Sequence, residues 1–258
     1  MVPLCFEKSM WTVVAVLAVM EAGGAFTLTH PSQPEARLQM IGLDVGAKVV
    51  LTSGSHALLG SRVAPTAKVH VASRETFDGE PSPINSLPSV PASTTMYIFS
   101  TSGSTGKRKG VVISHTNYTS GALPLSVEVD YDEGSRVLDF VSYTFDVIID
   151  FMMCTLILGD CTYVSSDEAR IDDFSGVIRS MNVNMAHMTP SVARVLEPHN
   201  FPQLKILGLG GEAVLARDAA NGIVDVAEHN CLVPIGAVGE LLVEGPVVDH
   251  YSFIENLT

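Results

Sequence analysis

Residues 97–113 read YIFSTSGSTGKRKGVVI, a polar loop set between two short apolar runs. Residues 100–110 hold five hydroxyl side chains, three glycines and three cations. Glycines let the backbone turn its N–H groups toward one point, hydroxyls add further donors, and lysine and arginine neutralise negative charge. This combination is typical of a loop that holds a polyphosphate. The same composition would also suit a flexible Ser/Gly surface loop whose cations are incidental.

The loop differs from a Walker A motif, which requires G-x-x-x-x-G-K followed by Ser or Thr. Here Gly106 and Lys107 are followed by Arg108. Thr101 stands where the first glycine would be. The apolar runs on both sides predict a strand before the loop and another after it. We therefore expect phosphate binding by loop amides and side chains, without the contribution of a helix dipole.

Short β-branched runs alternate with helical patterns along the rest of the chain, which predicts an α/β fold with mostly parallel strands. Strands are expected at residues 49–51, 69–72, 96–99, 111–113, 137–141, 162–164, 184–188, 206–209 and 240–243. Helices are expected at residues 10–20, 147–157, 174–181, 191–196 and 215–221. The stretch 76–95, rich in Pro, Ser and Thr, is expected to be a loop or linker before the phosphate loop.

The composition indicates a folded chain and restricts its partners. Of the 258 residues, 47% are hydrophobic and 17% are charged, which excludes a disordered or collagen-like protein. The 28 acidic and 15 basic residues give a formal net charge of -13, so we expect no binding to nucleic acid or to an anionic membrane. The four cysteines show no paired spacing. We expect buried thiols without a disulfide or metal role, in a cytoplasmic protein.

Residues 10–20 form an apolar run near the N-terminus, and two interpretations remain for it. A signal peptide contains such a run, followed by small residues. Glu7 and Glu21, on either side of the run, argue against this interpretation, and the run is too short to span a bilayer. We expect instead a fully buried helix with Ser9 as its N-cap and Gly23 as its C-terminal stop.

The motif T-S-G-S-T-G-K-x-K-G after an apolar strand resembles the phosphate loop of the adenylate-forming, AMP-binding enzymes. More narrowly, it resembles that of the adenylation domains of nonribosomal peptide synthetases. Other segments follow in the family's order: AGGAFTLTHPSQPEARL at 22–38, YTFD at 143–146, MTPS at 188–191, LGGE at 209–212 and LVPIGAVGELLVEGPVVDHY at 232–251. The resemblance covers essentially the whole chain and implies the large N-terminal subdomain of such an enzyme, with layered sheets and flanking helices.

The resemblance implies that ATP and an amino acid are condensed to an aminoacyl adenylate, with release of pyrophosphate. It implies ATP and Mg²⁺ as cofactors and, within a larger synthetase, a carrier domain as partner. Lys109 matches the family's lysine before the last glycine and is assigned a catalytic role. The ATP phosphates are assigned to Thr101, Ser102, Gly103, Ser104, Thr105, Gly106 and Lys107.

The resemblance also implies a substrate pocket. Asp146 stands where the family has the carboxylate that pairs with the α-ammonium of the amino acid, a charge-assisted bond that selects amino acids over other acids. The pocket wall is implied to include Val147, Asp150, His187, Gly208 and Gly210. Gly210, Gly211 and Glu212 are implied to lie against adenine and ribose. Three structural alternatives stay open: a solvated helix position for Asp150, a strand histidine packed in the interior for His187, and a strand-to-helix turn with Glu212 near the helix start.

The sequence departs from the family pattern after residues 213–221. The family continues to a Y-G-x-T-E motif whose glutamate helps to hold Mg²⁺, and this motif has no counterpart here, which predicts an internal deletion between residues 221 and 222. The ribose-binding aspartate and the lysine of the C-terminal lid also lack counterparts, and the start resembles the interior of the domain. We therefore expect residues 1–258 to form one partial adenylation domain, truncated at both ends, with 222–258 as the remnant after the deletion. The alternative to an amino-acid-activating enzyme is an inactive fragment that retains at most partial nucleotide binding.

Overall fold

The computed structural model describes residues 1–77, 86–101, 109–129, 131–196, 198–213 and 251–253. The strands, in chain order, are β1 (Val2–Cys5), β2 (Phe26–Thr29), β3 (Val49–Thr52), β4 (Lys68–Val71), β5 (Thr95–Thr101), β6 (Lys109–Ser114), β7 (Arg136–Leu138), β8 (Cys161–Tyr163), β9 (Met185–Met188), β10 (Ile206–Leu209) and β11 (Tyr251–Phe253). The α-helices are α1 (Met10–Glu21), α2 (Glu35–Asp44), α3 (Ala57–Val63), α4 (Arg74–Phe77), α5 (His115–Glu128), α6 (Val147–Ile157), α7 (Asp167–Asp172), α8 (Phe174–Ser180) and α9 (Pro190–Ala193). Two short 3-10 helices lie at Gly54–His56 and Pro198–Asn200.

The chain divides into two compact units. The first comprises residues 1–122, 142–146 and 246–258, and the second comprises residues 123–141 and 147–245.

The first unit contains a seven-stranded sheet in the order β11-β6-β5-β2-β1-β3-β4. Five neighbouring strands of this sheet, β5-β2-β1-β3-β4, pair in parallel. Helices α1, α2 and α3 connect β1 to β2, β2 to β3 and β3 to β4, as parallel neighbours require. Strand β6 pairs antiparallel with β5, and β11 pairs antiparallel with β6. The carboxyl ends of the parallel strands therefore share one edge of this sheet.

Helix α1 confirms the helix expected at residues 10–20, but not its complete burial. Its buried residues are Thr12, Ala15, Val16 and Val19. Met10 and Leu17 are 61% and 37% exposed, because the helix packs only one face although its sequence is apolar on every side. Gly23 adopts a φ of 72° after the last turn, the conformation of a helix C-terminal stop. Ser9 lies at the N-cap position but its side chain makes no capping hydrogen bond.

Gly42 lets helices α2 and α3 approach each other closely. A Cβ at this position would lie 2.5 Å from the carbonyl oxygen of Val63. A backbone oxygen cannot move aside as the end of a flexible side chain can, so the contact requires glycine. Next to it, Leu38, Val63 and Cys5 form a small buried apolar cluster that joins the helix pair to β1.

The second unit contains a four-stranded sheet in the order β10-β9-β7-β8, and all of its strands are parallel. Its core consists of strand and helix residues that are nearly inaccessible to solvent: Leu138, Val177, Ile178, Val183, Ala186, Met188, Ala193, Phe201 and Leu207. Helix α6 is also largely buried, with seven of its eleven residues inaccessible. The packed core around them therefore holds the residues of β9 and β10 in place.

The α/β fold with mostly parallel strands is confirmed. Eight of the nine expected strands overlap β3 to β10, and the ninth, 240–243, lies outside the described residues. Four expected helices overlap α1, α6, α8 and α9, and the fifth, 215–221, also lies outside them. Strands β1, β2 and β11 and helices α2, α3, α4, α5 and α7 were not predicted from the sequence. The loop expected at 76–95 is corrected at both ends, because residues 76 and 77 belong to α4 and residue 95 begins β5. Residues 86–94 contain neither helix nor strand.

Two further expectations concern cysteines and membranes. Cys5 and Cys154 are buried as expected, whereas Cys161 is exposed at the start of β8, which corrects the expectation for this thiol. Cys231 lies outside the described residues. Within the described part of the chain, none of the helices has both the length and the apolar character needed to cross a membrane.

Candidate functional site

The phosphate-loop sequence connects two strands that pair directly with each other. Ser100 pairs with Gly110, and Thr101 pairs with Lys109, in an antiparallel register. Opposite residues of such a pair lie about 4.5–5.5 Å apart between Cα atoms, so the two ends of the loop are held together. The expected strand-to-strand connection is thus confirmed. The loop residues Ser102, Gly103, Ser104, Thr105, Gly106 and Lys107 lie outside the described residues, as do the side chains of Thr101 and Lys109.

Asp146 follows a tight turn in the first unit. The backbone N–H of Phe145 donates to the carbonyl oxygen of Ser142 at 3.0 Å. The hydroxyls of Ser142 and Thr144 are 3.0 Å apart, within hydrogen-bonding distance. Tyr143 is fully buried, whereas Asp146 is exposed. The turn therefore fixes one side chain in the interior and presents a carboxylate at the surface.

Tyr143 contacts two residues that the sequence analysis did not assign to the site. The ammonium nitrogen of Lys8 lies 3.9 Å from the centroid of the Tyr143 ring. The ring of His30 lies 6.1 Å from it, tilted by 56°. The YTFD and THPSQP segments were recognisable in the sequence, but their contact with Lys8 depends on the tertiary fold.

Helix α6 carries two of the expected wall residues in its first turn. Val147 and Asp150 are both half-buried. Burial raises the pKa of Tyr131, and the charges of Cys154 and Asp150 raise it further. Asp150 is therefore within electrostatic reach of Tyr131, and its side chain is partly shielded from solvent.

His187 and Gly208 are directly opposite each other on β9 and β10. A Cβ on Gly208 would lie 1.2 Å from Nε2 of His187, so the imidazole occupies the space that a side chain there would need. Phe151 of α6 packs edge-on against the imidazole, with 4.3 Å between ring centroids. Burial lowers the pKa of His187 to about 4. This imidazole is consequently neutral at neutral pH.

The turn after β10 is held by a carboxylate that bonds to the start of helix α9. The backbone N–H of Ser191 donates to Glu212 Oε2 at 3.1 Å, and the Ser191 hydroxyl donates to the same oxygen. Hydrogen bonding from this hydroxyl lowers the pKa of Glu212. Gly211 has a φ of 80°, a conformation that favours glycine. Glu212 thus caps α9, an earlier helix. The helix that the structural alternative expected after Glu212 lies outside the described residues.

In the second unit, Gly208 and His187 are in contact. The chain then continues from Gly208 into the turn at residues 210–212. Three neighbours were not predicted from the sequence. Phe151 packs against His187, the Thr189 methyl group lies 3.6 Å from where a Cβ on Gly211 would be, and Ser191 bonds to Glu212. The MTPS segment was a signal for Thr189 and Ser191, because it ends a strand and begins a helix. The described residues contain no group of three or more His, Cys, Asp or Glu side chains that could hold a metal ion.

The family model for AMP-binding enzymes matches residues 1–221. Nonribosomal peptide synthetase SIDD of Beauveria bassiana is 50% identical over 96% of this chain, and nonribosomal peptide synthetase 1 of Ajellomyces capsulatus is 49% identical over 95%. These relatives confirm the resemblance that the phosphate-loop motif indicated. The chain spans 16% of the length of each of them.

Solved structures with similar folds include the nonribosomal peptide synthetase FmoA3, with a TM-score of 0.74 and 20% identity, covering 86% of this chain and 24% of FmoA3. The N-terminal subdomain of NpsA from Klebsiella oxytoca has a TM-score of 0.71 and 20% identity, covering 85% of this chain and 55% of NpsA. The fold is that of the N-terminal subdomain of adenylate-forming enzymes.

Proposed function

The chain belongs to the AMP-binding enzyme family, and on this basis we propose that it activates an amino acid with ATP as the adenylation part of a nonribosomal peptide synthetase. The reaction joins a carboxylate oxygen of the amino acid to the α-phosphorus and breaks the bond to pyrophosphate. The proposal rests on one observation: the sequence is about 50% identical to the Beauveria bassiana and Ajellomyces capsulatus peptide synthetases over nearly the whole chain.

The residues at the mouth of the phosphate loop fit a bound polyphosphate. The pairing of Ser100 with Gly110 and of Thr101 with Lys109 closes the ends of a loop rich in glycines, hydroxyls and cations. ATP supplies the electrophilic phosphorus and the leaving group. Lys109 and its neighbours in the loop supply positive charge toward the phosphates. Such a reaction depends mainly on positioning and electrostatic stabilisation.

Residues of each unit are assigned to the amino acid. In our proposal Asp146 accepts from the α-ammonium group, and the exposed position of its carboxylate supports this role. His187 carries no charge at neutral pH because burial lowers its pKa to about 4. Asp150, half-buried beside Tyr131, is then the charged member of the wall and favours a polar or basic substrate side chain.

No step of the proposed reaction is assigned to Mg²⁺. The described residues lack a cluster of metal ligands, and the family's Y-G-x-T-E motif has no counterpart after residues 213–221. Mg²⁺ is usually bound by one or two carboxylates together with substrate phosphates, and the described residues assign no such role to a particular side chain of this chain. A carrier domain as the acceptor of the activated amino acid, and a cytoplasmic location, are part of the same proposal.

A second candidate function is nucleotide binding without catalysis, and the gap in the family pattern favours it. The alignment with the Beauveria bassiana protein is 291 residues long. Since 96% of 258 residues is about 248, roughly 40 positions of that alignment have no residue of this chain opposite them. A gap of this size is what an internal deletion between residues 221 and 222 would produce.

Amino-acid-dependent exchange of pyrophosphate into ATP separates these candidates. We expect exchange with an amino acid that has a polar or basic side chain and none with the same acid lacking its α-amino group. Asp146→Asn should abolish the exchange, whereas Asp172→Asn, at an exposed residue of α7, should not alter it. Bound ATP without exchange for any amino acid would favour the non-catalytic candidate.

A further inference from the structure

Lys8 is an unusual residue in the interior of the first unit. It follows β1 and is only 6% exposed, although lysine is rarely buried to this extent. Removing an ammonium group from water is costly unless another group compensates for the lost hydration. The face of the Tyr143 ring, 3.9 Å from Nζ, provides such compensation through a cation–π contact.

Tyr143 links this contact to the turn that precedes helix α6. Its side chain is fully buried and also meets the His30 ring. The backbone N–H of Thr144 donates to the Ser142 hydroxyl at 3.3 Å, in addition to the Phe145 to Ser142 bond. These bonds restrict the backbone of residues 142–145, which Asp146 directly follows. A displacement of Tyr143 therefore moves Asp146, three residues further along the chain.

We propose that Lys8 is a positioning residue for amino-acid recognition: its ammonium group holds the Tyr143 ring, and this contact orients the Asp146 carboxylate. The inference rests on the proposed function, because it assigns to Asp146 the α-ammonium group of the substrate. It gives a role in substrate recognition to Lys8, a residue that is distant from Asp146 in the sequence and does not itself contact the substrate. Charge, and not only packing, is the property of Lys8 that the proposal requires.

Four variants separate charge from packing. Lys8→Met keeps a long unbranched chain and removes the charge, whereas Lys8→Arg keeps a cation that can lie over an aromatic ring. Tyr143→Phe keeps the ring face and removes only the hydroxyl. Lys48→Met is the matched control, since Lys48 is an exposed lysine of the same unit.

Hydrogen–deuterium exchange of the whole chain tests the contact without any activity. We expect Lys8→Met to speed exchange of the amides in residues 143–146 by about tenfold, the effect of losing a partly desolvated cation–π contact. Lys8→Arg, Tyr143→Phe and Lys48→Met should retain the original rates, and peptides from β3 should be unchanged in every variant. Unchanged exchange in Lys8→Met, or a uniform increase throughout the unit, would overturn the proposal. If Lys8→Met does not fold, Lys8→Gln replaces it in the same comparison.

Kinetics of pyrophosphate exchange test the consequence for substrate recognition. Lys8→Met should raise the KM for the amino acid about tenfold and leave the KM for ATP unchanged, with recovery in Lys8→Arg. An equal rise in both KM values, or none, would refute the positioning role. If the unmodified chain exchanges no pyrophosphate, the proposed function fails, while the deuterium measurement still decides whether Lys8 holds the turn.

Discussion

The imidazole of His187 fills the space in which a side chain on Gly208 would have to lie. The two residues are opposite each other on β9 and β10, and a Cβ on Gly208 would come within 1.4 Å of two atoms of the ring. The ring is held from a further direction by Phe151. Two of the residues expected in the pocket wall therefore depend on each other: the histidine ring is accommodated because its partner is glycine.

Gly208→Ala should consequently displace the His187 ring and destabilise the second unit. Gly208 does not have a positive φ, so alanine suits its backbone and the cost arises from the side-chain overlap. Overpacking of this kind costs about 1–3 kcal/mol. Urea denaturation followed by circular dichroism measures the change.

The double variant Gly208→Ala/His187→Ala should recover most of that loss, because the ring that collides is gone. Gly210→Ala is the control, since among the described residues no atom outside its chain neighbours lies within 4 Å of a Cβ built there, and its stability should match that of the unmodified protein. A Gly208→Ala variant as stable as the control would contradict the contact.

His187 should make the stability of the protein depend on pH between about 6.5 and 4. Burial lowers its pKa in the folded state to about 4, below the unfolded value of about 6.5. The unfolded chain therefore binds more protons in this interval, so the stabilisation is complete above about pH 6.5 and falls by about 3 kcal/mol as the pH approaches 4. Urea midpoints at a series of pH values, compared between the unmodified protein and His187→Gln, measure this difference.

Burial also lowers the pKa of His115, so this residue adds to the pH dependence of stability. The comparison with His187→Gln isolates the part that is due to His187. The imidazole resonances of His187 in an NMR titration provide an independent check. A midpoint near 6.5 for this residue would be incompatible with a buried neutral ring.

The elements with a distinct local pattern could be predicted, and those determined by tertiary contacts could not. Helix α6 and strand β10 were predicted with their observed bounds, because a long apolar run and a short apolar run are each clear signals. Strand β1 contains Pro3, and proline argues against a strand in the interior of a sheet. Strand β2 reads FTLT and is buried at all four positions, so its threonines lie in the interior, where a sequence pattern predicts apolar residues. Helix α5 was missed because it contains Pro124, which normally ends a helix.

The same distinction applies to the site. The loop motif, Asp146 and the wall residues could be named from short segments of sequence. The pairing of His187 with Gly208 depends on the register of two strands, and the burial of Lys8 depends on Tyr143, which is distant in the chain. Glu212 was named for a nucleotide role, but its bond to Ser191 follows from the proximity of two turns at the ends of β9 and β10.

Ser191→Ala should raise the pKa of Glu212 toward the usual value of a glutamate. The Ser191 hydroxyl is the largest cause of the lowered pKa, and alanine removes this donor while the backbone N–H remains. A carboxylate with a lowered pKa contributes stability above its unfolded pKa, and this contribution is lost as the pH falls through the folded pKa. Carboxyl chemical shifts in an NMR titration measure the change at Glu212 directly.

Ser180→Ala is the matched control, because its hydroxyl bonds to the carbonyl oxygen of Val177 and not to Glu212. The titration of Glu212 should be the same in this variant as in the unmodified protein. Identical curves in Ser191→Ala and the control would show that the hydroxyl does not hold the carboxylate.

Lys109→Ala should weaken ATP binding by about ten- to a hundredfold, the effect of losing a hydrogen bond to a charged group. The pairing of Lys109 with Thr101 places the backbone of Lys109 at the end of the loop, and in the proposed function this loop holds the phosphates. Equilibrium dialysis with ATP measures the affinity. Lys109→Arg should retain most of it because the charge remains, and Lys48→Ala, which removes an exposed lysine elsewhere, should retain all of it. Equal affinity of Lys109→Ala and Lys48→Ala for ATP would reject the assignment of residues 101–109 to the phosphates.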